Sequence, residues 1–184
     1  VWKYWSEIED SKTRKAFFKK LAEIGIVGVK IDFMDSDSKS RIDFYKSTLE
    51  DAANFKLMIN FHGANKPTGE SRTFPNEMTR EGVFGLEQNK GYDSIPPSHN
   101  AALPFTRYIA GHGDYTPVTF NPDKIKGTSF SHQLATAIVF TSPVTHWADH
   151  PDLYLASPAL DVIKTIPTFW DETIVLPDSK IGEL

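Results

Sequence analysis

The sequence has 184 residues, a net charge of −4 and no cysteine. That length suits one domain of ordinary size with a sizeable core, and the acidic balance, with no basic stripe, argues against nucleic acid as a partner. Without cysteine there is neither a disulfide framework nor a thiolate metal centre, and no apolar run is long enough to span a bilayer as a helix, so no membrane insertion is expected.

Residues 1–5, Val-Trp-Lys-Tyr-Trp, read as the tail of a strand begun mid-element, and residues 180–184 stop without a terminating signal. Both ends are those expected of a piece of a longer protein. Ser11 is placed to cap a helix running to about Glu23, with Phe17, Phe18 and Leu21 at helical spacing and Gly25 closing it. Residues 11–20 give that helix a charged, solvated face. A strand follows over residues 26–34. Within it Val29, Ile31 and Phe33 alternate with Lys30 and Asp32, so the two ionisable groups share a face. A buried strand rarely carries such groups without a partner or a task.

Residues 38–54 predict a second helix with Ile42, Tyr45 and Leu49 on one stripe, and residues 56–61 a second apolar strand with Asn60 and His62 on one face. Residues 63–97 are rich in Pro, Gly and Arg, but Phe74, Val83, Phe84 and Leu86 favour an ordered segment. Further on, a short strand is expected at 108–110, an apolar helix at 129–140, a strand at 143–148 and a helix at 158–166. Alternating strands and helices argue for an α/β protein with a parallel sheet. The roughly five or six strands fall short of the eight of a closed barrel, which places the missing ones before Val1.

The richest acidic stretch is Glu77-Met-Thr-Arg-Glu81-Gly-Val-Phe-Gly-Leu-Glu87, where Gly82 and Gly85 let the carboxylates of Glu81 and Glu87 converge. Residue logic alone leaves Asp32 open between a structural partner of Lys30 and an active-site acid. It leaves Glu81 and Glu87 as solvated loop carboxylates and His62 as a hydrogen-bonded core histidine. His112, Asp114, His146, Asp149 and His150 lack the spacing of a site such as His-Glu-x-x-His and read as loop and supporting residues.

Seven segments in order carry more information than any one of them: Gly28-Val-Lys-Ile-Asp-Phe-Met-Asp35, Asn60-Phe-His-Gly63, Pro67-Thr-Gly-x-x-Arg-Thr-Phe-Pro-Asn76, Glu81-Gly-Val-x-Gly-Leu-Glu87, Pro104-Phe-Thr-Arg107, Gly113-Asp-Tyr-Thr-Pro117 and Trp170-Asp-Glu-Thr173. Together they resemble glycoside hydrolase family 97, which holds α-glucosidases and α-galactosidases of gut and marine bacteria. The resemblance implies a catalytic (β/α)8 TIM-type barrel between two β-rich domains. Residues 1–172 would then be the carboxyl-terminal part of the barrel, from about its third to its eighth strand. Residues 173–184 would begin a following β-domain or its linker, with Trp170-Asp-Glu172 locking the barrel's end to it. The missing partners would be the amino-terminal domain and first barrel strands of the same protein, and the compartment the periplasm or outside the cell.

Inverting members are similar in having His-Glu after the fifth strand and no aspartate ending the fourth; retaining members have the aspartate and lack that glutamate. This sequence has Asp32 and reads His62-Gly63, so it resembles the retaining branch, with Asp32 as nucleophile and Glu87 as general acid/base. A retaining site needs its two carboxyls roughly 5–5.5 Å apart, one to attack the anomeric carbon and one to protonate the departing oxygen. Glu81 matches a calcium-binding position of the family, and Lys30 and His62 are the candidates for substrate hydroxyls. Trp2, Trp5, Phe74 or Trp147 offers a platform for a sugar face. The resemblance implies an exo-glycosidase of terminal α-galactosides, with α-glucosides or β-L-arabinopyranosides as alternative substrates. The rivals are a non-catalytic sugar-binding barrel, which predicts a damaged Asp32 or Glu87, and a metal-dependent hydrolase built on the histidines.

Overall fold

The computed structural model describes residues 1–90 and 94–183. The chain divides into two compact units, residues 1–82 and 83–184. In the first, four strands, β1 (Trp2–Tyr4), β2 (Gly28–Asp32), β3 (Met58–Phe61) and β4 (Glu77–Arg80), form one parallel sheet in sequence order. Two helices, α1 (Ser11–Glu23) and α2 (Lys39–Ala53), connect the first three strands. The expected strand–helix alternation and parallel sheet are therefore present over this unit.

Alternation along each strand sorts the side chains onto two faces. Val29, Ile31, Ile59 and Phe61 are buried with Phe18 and Leu21 of α1 and Phe44, Tyr45, Leu49 and Ala52 of α2 in one core. Full burial of a Leu, Ile or Phe contributes about 1.5–3 kcal/mol, so this face supplies most of the unit's cohesion. The register pairs Trp2 with Lys30, Tyr4 with Asp32, Lys30 with Asn60 and Asn60 with Thr79. These residues line the opposite face, which the helices leave uncovered.

Local signals set the boundaries. Asp10, not the expected Ser11, caps α1, its carboxylate accepting from the Thr13 amide at 2.8 Å; this bond holds the Asp10 carboxyl below its usual range. Gly25 ends the helix at φ +81°. Ser38 caps α2, its hydroxyl accepting from the Arg41 amide at 3.4 Å. The strand expected over 26–34 is shorter, and Phe33 does not join the apolar face. It turns to φ +61° and is half exposed, and Met34 goes into the core in its place.

The helices are also tied by a buried ion pair. Arg14 gives Asp51 Oδ2 two hydrogen bonds, from Nε at 2.8 Å and NH2 at 2.6 Å, and its NH1 donates to the Ile8 and Glu9 carbonyls. Removing one partner of such a pair costs about 3–5 kcal/mol, whereas replacing both with apolar groups is often close to neutral. Asp51→Ala is thus expected to lower the urea midpoint sharply, and Arg14→Met with Asp51→Leu to recover most of it. Equal losses in the two would contradict this account.

β4 lies inside the long segment expected to be ordered but without regular periodicity. Its signal is faint because two charged residues occupy its helix-facing side. Glu77 and Arg80 pair there, with Arg80 Nε donating to Glu77 Oε1 at 2.7 Å and the guanidinium 4.5 Å over the Tyr45 ring. Burial pushes the Glu77 carboxyl above its usual range, and the neighbouring Arg80 charge opposes that.

The second unit is mostly irregular around short helices: α3 (Pro97–Ala102), α4 (Phe130–Val139), α5 (Pro151–Leu155) and α6 (Leu160–Thr165). Leu86, Ile95, Leu103, Tyr115 and Phe140 form its core. Helix α4 matches expectation, with Ser129 as its cap, and α6 is a short version of the helix expected at 158–166. The strands expected at 108–110 and 143–148 are absent among the described residues. Arg107–Ala110 is a single 3-10 turn that stacks Tyr108 on Phe140 at 4.9 Å. Around 143–148 the chain runs beside 113–118, bonding from Gly113 N to Thr141 O and from Ala148 N to Pro117 O. Pro117 and Pro143 have no amide to give, and Thr116 and Val118 sit at positive φ, so no ladder develops.

Candidate active site

The face of the parallel sheet opposite α1 and α2 gathers the residues singled out in the first unit. At the carboxyl end of β2, Asp32 stands on that face beside Lys30, with Lys30 Nζ 3.7 Å from Asp32 Oδ2 and both side chains about 15% exposed. The Trp2 indole N–H donates to Asp32 Oδ2 at 2.9 Å, and the Phe33 amide donates to Oδ1 at 2.7 Å. Both carboxylate oxygens are therefore held. The Lys30 neighbour follows from the strand's alternation, while the indole bond had no sequence signal beyond β1's alternation, which predicts only a shared face.

One strand over, His62 and Glu81 continue the same face. His62 is fully buried just after β3, and its Nδ1 lies 3.7 Å from Glu81 Oε2. Glu81 follows β4, its amide bonded to the Phe61 carbonyl at 2.8 Å, and its Oε2 accepts from the Gly63 amide at 2.6 Å. Lys30, Asp32, His62 and Glu81 thus come from three successive parallel strands.

Strained backbone collects at this end of the sheet. Phe33 and Asp35 after β2, Gly63 after β3 and Gly82 after β4 all have positive φ. A bulky residue such as Phe33 is a true outlier there, and such strain gathers where surrounding structure over-determines a functional geometry. Gly63 is further confined, because a Cβ on it would stand 2.7 Å from Asp35 Oδ1 and 3.0 Å from the Phe33 Cα.

Glu87 belongs to the second unit, where it is half-buried in the 3-10 turn Leu86–Lys90. The turn is anchored on both sides of the chain: Leu86 is buried and its amide donates to the Tyr115 carbonyl at 3.0 Å. Gly85 packs so close that a Cβ would lie 2.7 Å from that same oxygen. The Gly-Leu-Glu sequence thereby fixes where Glu87 leaves the chain.

The histidine–aspartate set of this unit separates into distinct roles. Asp114 is buried and accepts from His146 Nδ1 at 2.6 Å and from the His146 amide at 3.3 Å. Asp149 Oδ2 accepts from Thr119 Oγ1, Phe120 N and Asn121 N, which fixes the turn at 119–121. His150 is exposed at the start of α5, where its ring accepts from the Asp152 amide. Burial, and then the Arg107 charge, push the His112 imidazole below its usual range. Arg107 itself binds the Gly111 and His112 carbonyls. Asp114, His146 and Asp149 therefore tie loop segments together, and His150 caps α5.

The family model for glycoside hydrolase 97 matches residues 1–83, which cover the whole first unit. A probable retaining alpha-galactosidase of Streptomyces bingchenggensis is 34% identical over 178 residues, 96% of this chain and 27% of that protein. A retaining alpha-galactosidase of Bacteroides thetaiotaomicron is 37% identical over 88% of this chain and 26% of its own length. The chain belongs to glycoside hydrolase family 97. A family 97 enzyme of Pseudoalteromonas sp. solved with acarbose superposes with a TM-score of 0.87 at 30% identity, over 98% of this chain and 32% of that one. A beta-arabinopyranosidase superposes at 0.77 with 26% identity, over 93% of this chain and 31% of that one. This family 97 chain thus spans about a quarter of the length of the curated relatives it matches.

Proposed function

We propose that this chain supplies the two catalytic carboxyls of a retaining exo-α-galactosidase whose barrel is the (β/α)8 type. The observation that carries the reading is the Asp32 carboxylate, ending a parallel strand with both oxygens held and Lys30 beside it, next to a Gly63 that can supply no base. A charged group at the carboxyl end of a barrel strand reads as catalytic. The names of the two α-galactosidase relatives support the substrate class.

In this mechanism the Asp32 carboxylate attacks the anomeric carbon as the bond to the aglycone oxygen breaks. The Glu87 carboxyl gives its proton to that departing oxygen. Glu87, now a carboxylate, takes a proton from water, whose oxygen bonds to the anomeric carbon and releases Asp32 as a carboxylate. Two displacements return the starting configuration. Lys30 and His62 bind ring hydroxyls.

Glu81 fits the calcium expected here as one carboxylate ligand on the substrate-facing side, because a hard cation takes six to eight oxygens and prefers carboxylates. Bound there, calcium would supply positive charge for substrate hydroxyls; Glu81's own part is to present a carboxylate oxygen held by the Gly63 amide.

Treating the full-length protein with a 2-deoxy-2-fluoro-α-galactosyl donor, digesting it and sequencing the labelled peptide tests the reading. The label is expected on Asp32. A label on another residue, or free β-galactose as the first product of hydrolysis, would overturn it. The second substrate, a β-L-arabinopyranoside, differs from α-galactose only in lacking the hydroxymethyl group, and the beta-arabinopyranosidase among the structural relatives favours including it. The ratio of kcat/KM for the two aryl glycosides decides between them.

A further inference from the structure

The Trp2 indole, which the sequence offered only as one of four candidate sugar platforms, bonds Asp32 directly. We infer that Trp2 is a positioning residue for Asp32, holding Oδ2 through both displacements and assisting chiefly the second, in which the carboxylate leaves. The inference rests on the proposed nucleophilic role of Asp32.

The indole N–H lies 2.9 Å from Asp32 Oδ2, a full-strength hydrogen bond to a carboxylate. Its half-exposed ring is braced by aromatic neighbours. Phe33 meets Trp2 edge-on at 6.1 Å and Tyr4 edge-on at 5.5 Å, so the three aromatics brace one another across β1 and the turn after β2. Phe33 reaches that place only by adopting φ +61°, and the same turn points its amide at Asp32 Oδ1 at 2.7 Å. Backbone strain and aromatic packing therefore converge on one result, a carboxylate with a single orientation. Oδ2 has the indole and faces the Lys30 ammonium, whereas Oδ1 has one donor and keeps a lone pair for attack. Oδ2 is the oxygen that becomes the ester carbonyl.

A donor on that oxygen acts unequally on the two steps. In the first, the carboxylate loses charge as it bonds to carbon, so the N–H···O bond weakens while its orienting effect remains. In the second, negative charge returns to the carboxyl as the ester breaks, and the bond strengthens towards the transition state. Only an interaction that strengthens in this way accelerates a step. A tryptophan that merely packed, or merely carried a sugar ring, would not separate the two steps.

The test replaces Trp2 in the full-length protein with its sulfur isostere benzothienylalanine, which keeps the ring shape and removes the N–H, and alongside it Trp2→Phe. The probe is a 2-deoxy-2-fluoro-α-galactosyl donor. Inactivation reports the first step, and recovery of activity after removing excess reagent reports the second. Loss of one hydrogen bond to a charged group predicts recovery slower by on the order of 10- to 100-fold, inactivation slowed several-fold less, and KM lowered along with kcat as breakdown of the ester comes to limit turnover. Unchanged recovery, equal slowing of both steps, or a raised KM with unchanged kcat would overturn the inference. If the wild-type protein takes no label on Asp32, it is the nucleophile assignment that fails, and peptide sequencing of the wild-type adduct separates the two.

Discussion

Asp32→Gly in the full-length protein is expected to reduce turnover of an aryl α-galactoside by on the order of 10⁴-fold or more, as loss of a nucleophile typically does. The residual rate should respond to added azide. Glycine leaves a space beside Trp2 and Lys30 where the carboxylate stood, and azide entering it approaches the anomeric carbon from the face Asp32 used. The product is then β-galactosyl azide, formed by a single displacement and so of inverted configuration. Glu87 still protonates the departing oxygen in that reaction. Azide should therefore rescue Asp32→Gly without rescuing the double variant Asp32→Gly, Glu87→Ala on a poor leaving group. A metal-dependent hydrolase built on the second unit's histidines predicts little loss in Asp32→Gly and no glycosyl azide. A sugar-binding barrel predicts no turnover to lose.

That experiment turns on a residue whose place was legible in the sequence. The period of two through Val29-Lys-Ile-Asp32 fixes which side chains meet the helices, and the structure keeps that division with the branched residues buried and the charged pair opposite. Helices α1, α2 and α4 were readable from their apolar stripes, although the cap of α1 falls at Asp10, one residue before the expected Ser11. Where side chains pair with one another, the signal disappears. Strand β4 hides its register because Glu77 and Arg80 neutralise each other on the buried side. The expected strand at 143–148 fails because prolines and left-handed residues deny it the amides and dihedrals a ladder needs. Phe33 reads as a core residue by alternation, and only the close approach of the turn after β2 to Gly63 explains why the chain breaks there. Long-range contacts of single atoms, such as the Trp2 indole on Asp32, leave no periodic trace at all.

Gly63 yields the second large effect. A Glu at this position is what the inverting branch resembles, so Gly63→Glu asks whether one residue carries the difference between the branches. The structure predicts that it does not. Glycine here has φ +55°, and a side chain must bear the left-handed backbone, at about 1–3 kcal/mol. Its first carbon must also enter space already held by Asp35 Oδ1 at 2.7 Å and the Phe33 backbone at 3.0 Å, and overpacking of that kind typically adds another roughly 1–3 kcal/mol. The turn cannot relax outward independently, because Asp35 N bonds to the Gly63 carbonyl at 2.7 Å and Gly63 N bonds to Glu81 at 2.6 Å. Displacement at 63 thus propagates to the Phe33 amide on Asp32 and to the Glu81 carboxylate. Gly63→Ala, which adds the first carbon alone, should already show most of the fall in thermal midpoint and a large drop in kcat. Gly63→Glu should fall at least as far, and its remaining activity should still release α-galactose first, as read by proton NMR of early product. A stable Gly63→Ala protein of normal activity would show that the turn yields more readily than this packing allows, and inverted product from Gly63→Glu would place the branch point at this one residue.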